Sequence, residues 1–429
     1  MQRRQRRISA SSLSQRSLSS TLRAGGPLDT EREHQPVKTK AELDRQRGVD
    51  TFKARDASED MLPSQTARIL LECNFRCPFC FAAWHEERTQ PTAKVMNTSG
   101  RDWKGYMDKM RERGFERIVI SGGEPTIHPE ILTLIKYARS LGYQSVELQT
   151  NASLLTMDNA RRMVKAGVTD ALISLHSHRE DTFDRITVTE GVYDTVIQGI
   201  KNFLELGVNV MLSHVIIKWN VEDLVEYVRF CKREFPTMRE ILFFSMQPEA
   251  RAKKNMHIWP HLPRVAEMLP KALDECVKLD VGFRVDAQEG YPMCFTGGHE
   301  QRVDLYDITD PNGTFGDDLS AFRVIERKKV KLPRCQECFF ESACYGFWEG
   351  YFMLYGTDGI HPVPRTERLV ELYPKLEERW QQREAGEDVR DADLLRVRKR
   401  SQHTWLETDG VELLPLPWRQ GRPEAQKIK

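Results

Sequence analysis

The sequence predicts an α/β fold, a partial (βα)6 TIM-type barrel with a small cysteine-rich C-terminal extension. Three observations carry this. Short apolar runs alternate with amphipathic stretches from about Thr66 to about Val281, the pattern of βα units around a parallel sheet. Several amphipathic stretches stop at a glycine, Gly114, Gly142, Gly167 and Gly207, where a helix is expected to end. Six such units occupy about 180 residues, which suits a barrel shorter than the eight-unit form or an open doubly wound sheet.

The strands are expected at Ala67–Leu71, Arg117–Ile120, Ser145–Leu148, Ala171–Leu175, Val208–Ile216 and Glu240–Ser245. Between them the apolar period predicts helices over Thr98–Arg113, His128–Leu141, Met157–Ala166, Val192–Leu206, Val221–Phe235 and Leu262–Leu279. Residues 1–62 read as a polar basic tail and linker, with a short helix around Lys38–Gln46. Residues 63–280 form the barrel, 281–364 a cysteine-rich extension, and 365–429 charged helices and a tail.

Composition narrows the function classes. With 64 basic against 63 acidic residues, no overall field recruits nucleic acid or an anionic membrane. No run of about 18 apolar residues is present, which argues against a membrane span. Six of the nine cysteines fall in two tight groups, unlike the framework of a small secreted domain, so a reducing cytoplasm is expected. The first 26 residues carry six arginines, seven serines and no acid. That composition admits a transit peptide, but a disordered tail suits it better, because so little apolar surface cannot offset ordering entropy.

The first cysteine group, Cys73, Cys77 and Cys80, follows the first expected strand directly. A structural zinc site normally draws four ligands from paired groups, whereas this loop supplies three; His85 is the nearest further candidate. A cubane iron-sulfur cluster takes one thiolate per iron. Three thiolates therefore leave one iron open. After the second strand comes Gly122-Gly123-Glu124-Pro125, in which adjacent glycines permit close backbone approach and the glutamate can accept from a cation. A plain turn before a helix is the alternative.

The Cys-x3-Cys-x2-Cys loop, with aromatic Phe79 before its last cysteine, resembles the signature of radical S-adenosylmethionine (SAM) enzymes. The glycine-glycine-glutamate-proline run resembles that family's second motif. The resemblance implies a [4Fe-4S] cluster with one open iron, SAM bound to that iron, and a 5′-deoxyadenosyl radical that takes hydrogen from a substrate. It also implies SAM contacts from Gly122, Gly123, Glu124 and Pro125, and ribose or carboxylate contacts from strand ends at Asn151, Ser174 and His176. His176 stands where many relatives carry an aspartate, and a packed, hydrogen-bonded histidine is the alternative.

The second group, Cys335, Cys338 and Cys344, gains a possible fourth member in Cys294. Spacing alone leaves zinc and a fully ligated cluster both open. Resemblance to SPASM and shortened "twitch" extensions implies an auxiliary [4Fe-4S] cluster. A full SPASM region would carry a cysteine where this chain has Trp348, so a single auxiliary cluster is expected. Cys231 and Cys276, inside amphipathic stretches, read as buried structural thiols. Tyr345, Phe347, Trp348, Tyr351, Phe352 and Tyr355 are expected to pack the extension and keep water from the second site.

The sequence thus suggests a radical SAM oxidoreductase or related enzyme acting on a small-molecule metabolite, reduced by a flavodoxin or ferredoxin-type donor. A peptide maturase, a metal-stapled scaffold without activity and a tRNA modifier are the alternatives. The polar region before Thr66 is too short for a leader-binding winged domain of about 80 residues, which weakens the peptide reading.

Overall fold

Eight strands pair in chain order through one parallel sheet: β1 Ser64–Arg68, β2 Arg117–Ser121, β3 Ser145–Thr150, β4 Asp170–Ser174, β5 Asn209–Ile216, β6 Glu240–Ser245, β7 Gly282–Asp286 and β8 Val303–Asp304. The protein is described by a computed structural model covering residues 64–81, 100–286, 290–304, 329–344 and 346–386. The expected helix at Lys38–Gln46, His85, Tyr345 and both tails lie outside the described residues.

Helices α1 Gly100–Glu112, α2 Ile131–Ser140, α3 Met157–Ala166, α4 Glu180–Thr187, α5 Tyr193–Glu205, α6 Leu224–Glu234, α7 Ala250–Lys254 and α8 Leu262–Lys278 connect the strands. The α3 bounds coincide with the expected ones because both ends are marked in sequence. Thr156 accepts from Asn159 N–H at 3.3 Å at the start, and Gly167 closes the end with φ 123°.

Parallel pairing in register gives the sheet two chemically different faces. Ile118, Ile120, Val146, Leu148, Ala171, Ile173, Val210, Leu212, Ile241 and Phe243 alternate along the strands and are essentially inaccessible, packed beneath the helices. Each such aliphatic or aromatic side chain stabilises the fold by roughly 1.5–3 kcal/mol through its burial. The opposite face mixes apolar residues such as Val119, Met211 and Leu242 with a polar network. Arg117 pairs with Glu147, Arg284 Nε with Glu240 at 2.9 Å, and Ser121 Oγ donates to Gln149 at 2.8 Å. Burial pushes the Asp170 carboxyl up, but hydrogen bonds from Ser145, Asn209 and Thr169 and the charge of Arg117 outweigh it, so its pKa lies below the ordinary value.

Two expectations need correction. The sheet does not end with six strands, because β7 and β8 extend it past Asp280 in the same parallel order; the strand in Gly282–Asp286 follows α8 without the long apolar run that marks the others. The first strand lies three residues earlier than expected. Ile69, Leu70 and Leu71 are buried, and their apolar character suggested a ladder. They leave it instead to enter the cysteine loop, where Ile69 N–H bonds Ser121 O at 2.9 Å.

The extension contributes the antiparallel pair β9 Lys329–Val330 and β10 Phe347–Trp348, followed by α9 Glu349–Tyr355, α10 Glu367–Leu372 and α11 Pro374–Glu384. It packs on the barrel through aromatic residues. Trp348 Nε1 donates to Ser245 Oγ at 3.1 Å, the Tyr351 hydroxyl accepts from Leu262 N–H at 2.8 Å, and Tyr351 meets Trp259 edge on.

Candidate active site

The cysteine loop is held at the carboxyl edge of the sheet by contacts from four directions. From the end of β2, Gly123 N–H bonds Leu70 O at 2.9 Å and Glu124 N–H bonds Glu72 O at 2.8 Å. A Cβ on Gly122 would lie 2.3 Å from Leu70 O, and one on Gly123 would lie 2.0 Å from Glu72 O. The paired glycines thus allow backbone to approach backbone, and the close approach anticipated for a ligand is made to the cysteine loop itself. Pro125 is buried and opens the short turn that follows.

Glu124 is wholly buried. One carboxylate oxygen accepts from Thr126 N–H at 3.0 Å, from the Thr126 hydroxyl, and from Thr150 Oγ1 at 2.7 Å; the other accepts from Asn151 N–H at 2.7 Å. Burial pushes its pKa up, against these hydrogen bonds. The side chain clasps the ends of β2 and β3 together.

From β3, the Asn151 amide donates to Asn74 Oδ1 at 2.8 Å and to Cys73 Sγ at 3.9 Å, while its carbonyl oxygen accepts from Ser153 N–H at 3.0 Å and Ser153 Oγ at 2.7 Å. Asn74 Nδ2 closes the ring on Ser153 Oγ at 2.8 Å. From the β4 side, Arg76 N–H bonds Thr187 O at 2.9 Å and Phe75 meets Phe183 edge to face. From the segment after β6, Arg251 donates to Cys77 O and Asn255 Nδ2 to Pro78 O, both at 3.2 Å. Asn74, Ser153, Arg251 and Asn255 were not singled out in the sequence. The available signals were an asparagine between two cysteines and the basic run Arg251, Lys253, Lys254 directly after a strand.

The three thiols sense one another. Partial desolvation pushes Cys73 up to about 11, with the charges of Glu124 and Cys80 adding to the shift and N–H donors from Phe75 and Asn151 opposing it. Cys77 is raised further, by burial and then by Cys80 and Cys73. Thiols in one loop that disfavour one another's ionisation are stabilised as thiolates when a cation binds them, so this donor set fits a cluster held by three cysteines. Cys73 is the exposed member of the set.

Ser174 ends β4, half-buried, in register with Ser213 of β5. His176 is buried; its Nδ1 accepts from Val215 N–H at 3.1 Å and its carbonyl oxygen accepts from Asn220 Nδ2 at 2.9 Å. Burial presses its pKa down to about 3, so the ring is neutral. It packs edge to face on Phe79 with ring centroids 4.8 Å apart, so it supports the cysteine loop as well as lying near the strand ends.

The second group forms a separate cavity in the extension. Cys294, Cys335, Cys338 and Cys344 all line it, with Met293, Phe340, Phe347 and His361 among the remaining walls. Val363 N–H donates to Cys338 Sγ at 3.4 Å and Gly346 N–H to Cys344 Sγ at 3.2 Å. Burial raises Cys294 well above the ordinary thiol value, and the charges of Cys344, Cys338 and Cys335 raise it further. Cys338 rises to about 11, chiefly by burial. Among the described residues no three His, Cys, Asp or Glu side chains converge tightly enough for one metal ion, at this set or at the first. Four thiols lining one cavity are the ligand number of either a tetrahedral zinc site or a fully ligated cubane. Cys231 and Cys276 are fully buried between helices, away from both sites.

A parallel βα barrel with three ligating thiols on the loop after its first strand defines a class of iron-sulfur protein. Residues 69–231 match the radical SAM superfamily model, and the chain carries a radical SAM domain. That family uses a [4Fe-4S] cluster and SAM. Over 212 residues the chain is 29% identical to a "probable GTP 3′,8-cyclase" of Saccharolobus solfataricus, covering 49% of this chain and 66% of that relative. Over 197 residues it is 29% identical to an Fe-coproporphyrin III synthase of Methanosarcina barkeri, covering 46% and 47%. SuiB of Streptococcus suis bound to the precursor peptide SuiA superposes with a TM-score of 0.45 at 20% identity, covering 56% of this chain and 51% of that one. The chain therefore spans less than two thirds of the length of these relatives. Among the described residues no helix is long and apolar enough to cross a membrane.

Proposed function

We propose that the protein is a radical SAM enzyme that removes a hydrogen atom from a small-molecule metabolite, with one auxiliary cluster in its extension. The observation that carries this reading is the gathering of Cys73, Cys77 and Cys80 at the carboxyl edge of the barrel, braced by the ends of β2, β3, β4 and β6. When bound, the reduced cluster would supply one electron to the sulfonium of SAM, whose C5′–S bond would break to leave methionine and a 5′-deoxyadenosyl radical. The chain's own part is positional. Cys73, Cys77 and Cys80 hold three irons, the backbone of Gly122–Pro125 and the ends of β3 and β4, Ser174 among them, border the SAM site, and Cys294, Cys335, Cys338 and Cys344 hold the auxiliary group. The two sequence relatives are named for a nucleotide cyclase and a porphyrin synthase, which favours a metabolite over a peptide. A flavodoxin or ferredoxin-type protein in a reducing cytoplasm is the proposed electron source, in keeping with nine cysteines that form no disulfide among the described residues.

The test is iron and sulfide content after anaerobic reconstitution, with chromatography of 5′-deoxyadenosine after adding dithionite and SAM. Roughly eight irons per chain and 5′-deoxyadenosine that disappears in Cys77→Ala are expected. Iron without SAM cleavage, or zinc in place of iron, would overturn the proposal.

A further inference from the structure

Asn151 occupies a position at the cysteine loop that a ribose or carboxylate contact does not require. Its backbone N–H is bound by Glu124. Its carbonyl oxygen is taken by Ser153 twice, and its amide nitrogen lies 2.8 Å from Asn74 Oδ1 and 3.9 Å from Cys73 Sγ. The residue is buried, and its rotamer is fixed by the closed ring with Asn74 and Ser153. The two donors on Oδ1 fix the flip of the amide, so its protons point toward Asn74 and the sulfur. Cys73 Sγ receives one further N–H, from Phe75 at 3.4 Å.

We infer that Asn151 is a positioning residue that sets the reduction potential of the cluster held by Cys73, Cys77 and Cys80, through an amide N–H to the Cys73 sulfur. This deepens the function proposed above and rests on it. Hydrogen bonds to cluster sulfurs are among the main controls of potential, because they stabilise the more negative, reduced state. Cys73 is also the exposed cysteine, where solvent would otherwise be the donor. A fixed amide there replaces a fluctuating solvent contact.

The experiment is a redox titration of the reconstituted full-length protein followed by electron paramagnetic resonance, reading the signal that changes on adding SAM. Asn151→Asp keeps the size and the acceptor for Ser153 but turns the donor into an oxygen. Its midpoint is expected to move to more negative potential, with about a tenfold smaller reduced-to-oxidised ratio at fixed potential, equivalent to about 59 mV for one electron. Asn151→Ala should move it in the same direction by less, and it covers the case in which the carboxylate prevents cluster assembly. Ser153→Ala, which removes a hydroxyl from the ring but keeps the Ser153 N–H on Asn151 Oδ1, should leave the midpoint nearly in place. An unmoved midpoint in either Asn151 variant with the SAM-responsive signal intact would overturn this assignment alone. Absence of a SAM-responsive cluster from the parent protein would overturn the proposed function and this inference together.

Discussion

Phe79, within the cysteine loop, meets His176, just beyond β4, edge to face with ring planes at 87°. The contact joins the loop that carries the thiols to the segment just beyond β4. His176 is itself fixed by Val215 N–H and, through its carbonyl, by Asn220. Truncation to alanine would leave a cavity beside Phe79 and a buried N–H unpaired, a cost of about 2–4 kcal/mol. His176→Ala should therefore lower the urea midpoint and reduce iron retained after desalting, while far-ultraviolet circular dichroism stays that of the parent. Full iron retention in a destabilised variant would show that the ring supports the barrel alone.

Gly123 gives a sharper separation of barrel from loop. A methyl group there would lie 2.0 Å from Glu72 O, which is backbone and cannot swing aside. The barrel strands lie beneath this contact and need not move. Gly123→Ala is expected to keep its helical signal and lose most of its iron, at least tenfold in the fraction of chains reconstituted. Normal iron content in this variant would mean that the close approach is not needed to form the site.

How much of this was legible in the sequence depends on whether the signal was local. The α3 helix was readable to the residue because Thr156 and Gly167 mark its ends, and the three cysteines were readable because their spacing is local. β7 was missed because Gly282–Asp286 offers neither a long apolar run nor a following helix of the repeating kind. The brace on the cysteine loop was missed for another reason. Arg251 lies 174 residues from Cys77 and Asn151 lies 77 from Asn74, and no periodicity encodes such pairings. Glu124 shows the same limit, since its residue type suggested a ligand and its three-dimensional partners make it a clasp.

Cys294 was recommended by count and position alone, and its thiol now lines the same cavity as Cys335, Cys338 and Cys344. If it completes that set, Cys294→Ala should lose or degrade the auxiliary cluster, taking iron from roughly eight toward roughly four per chain. Cleavage of SAM at the first cluster should persist. Cys231→Ala, in a fully buried thiol between helices, serves as the comparison and should keep its iron. Equal iron in the two variants would remove Cys294 from the ligand set.

His214 gives a prediction in pH. Its ring is buried on the helix side of β5, over Tyr227 at 4.1 Å between centroids. Burial presses its pKa down to about 3, with the neighbouring His176 and His178 acting in the same direction and the Leu175 carbonyl opposing. In the unfolded chain the ordinary value is about 6.5. Between these values the unfolded state binds a proton that the folded state does not. The stability His214 contributes is thus fully present above about pH 6.5 and is lost as pH falls toward 3, with a slope of about 1.4 kcal/mol per pH unit where the unfolded side chain is charged. His214→Phe keeps a ring against Tyr227 and Phe243 but removes the titration. Urea unfolding of parent and variant at pH 5, 6 and 7 should show the parent losing stability more steeply on acidification by about that amount per unit. Any acid lability of the clusters enters both proteins alike and cancels in the comparison. Parallel slopes would show that the folded state accepts a proton on His214 as readily as the unfolded one, against its burial beneath Tyr227.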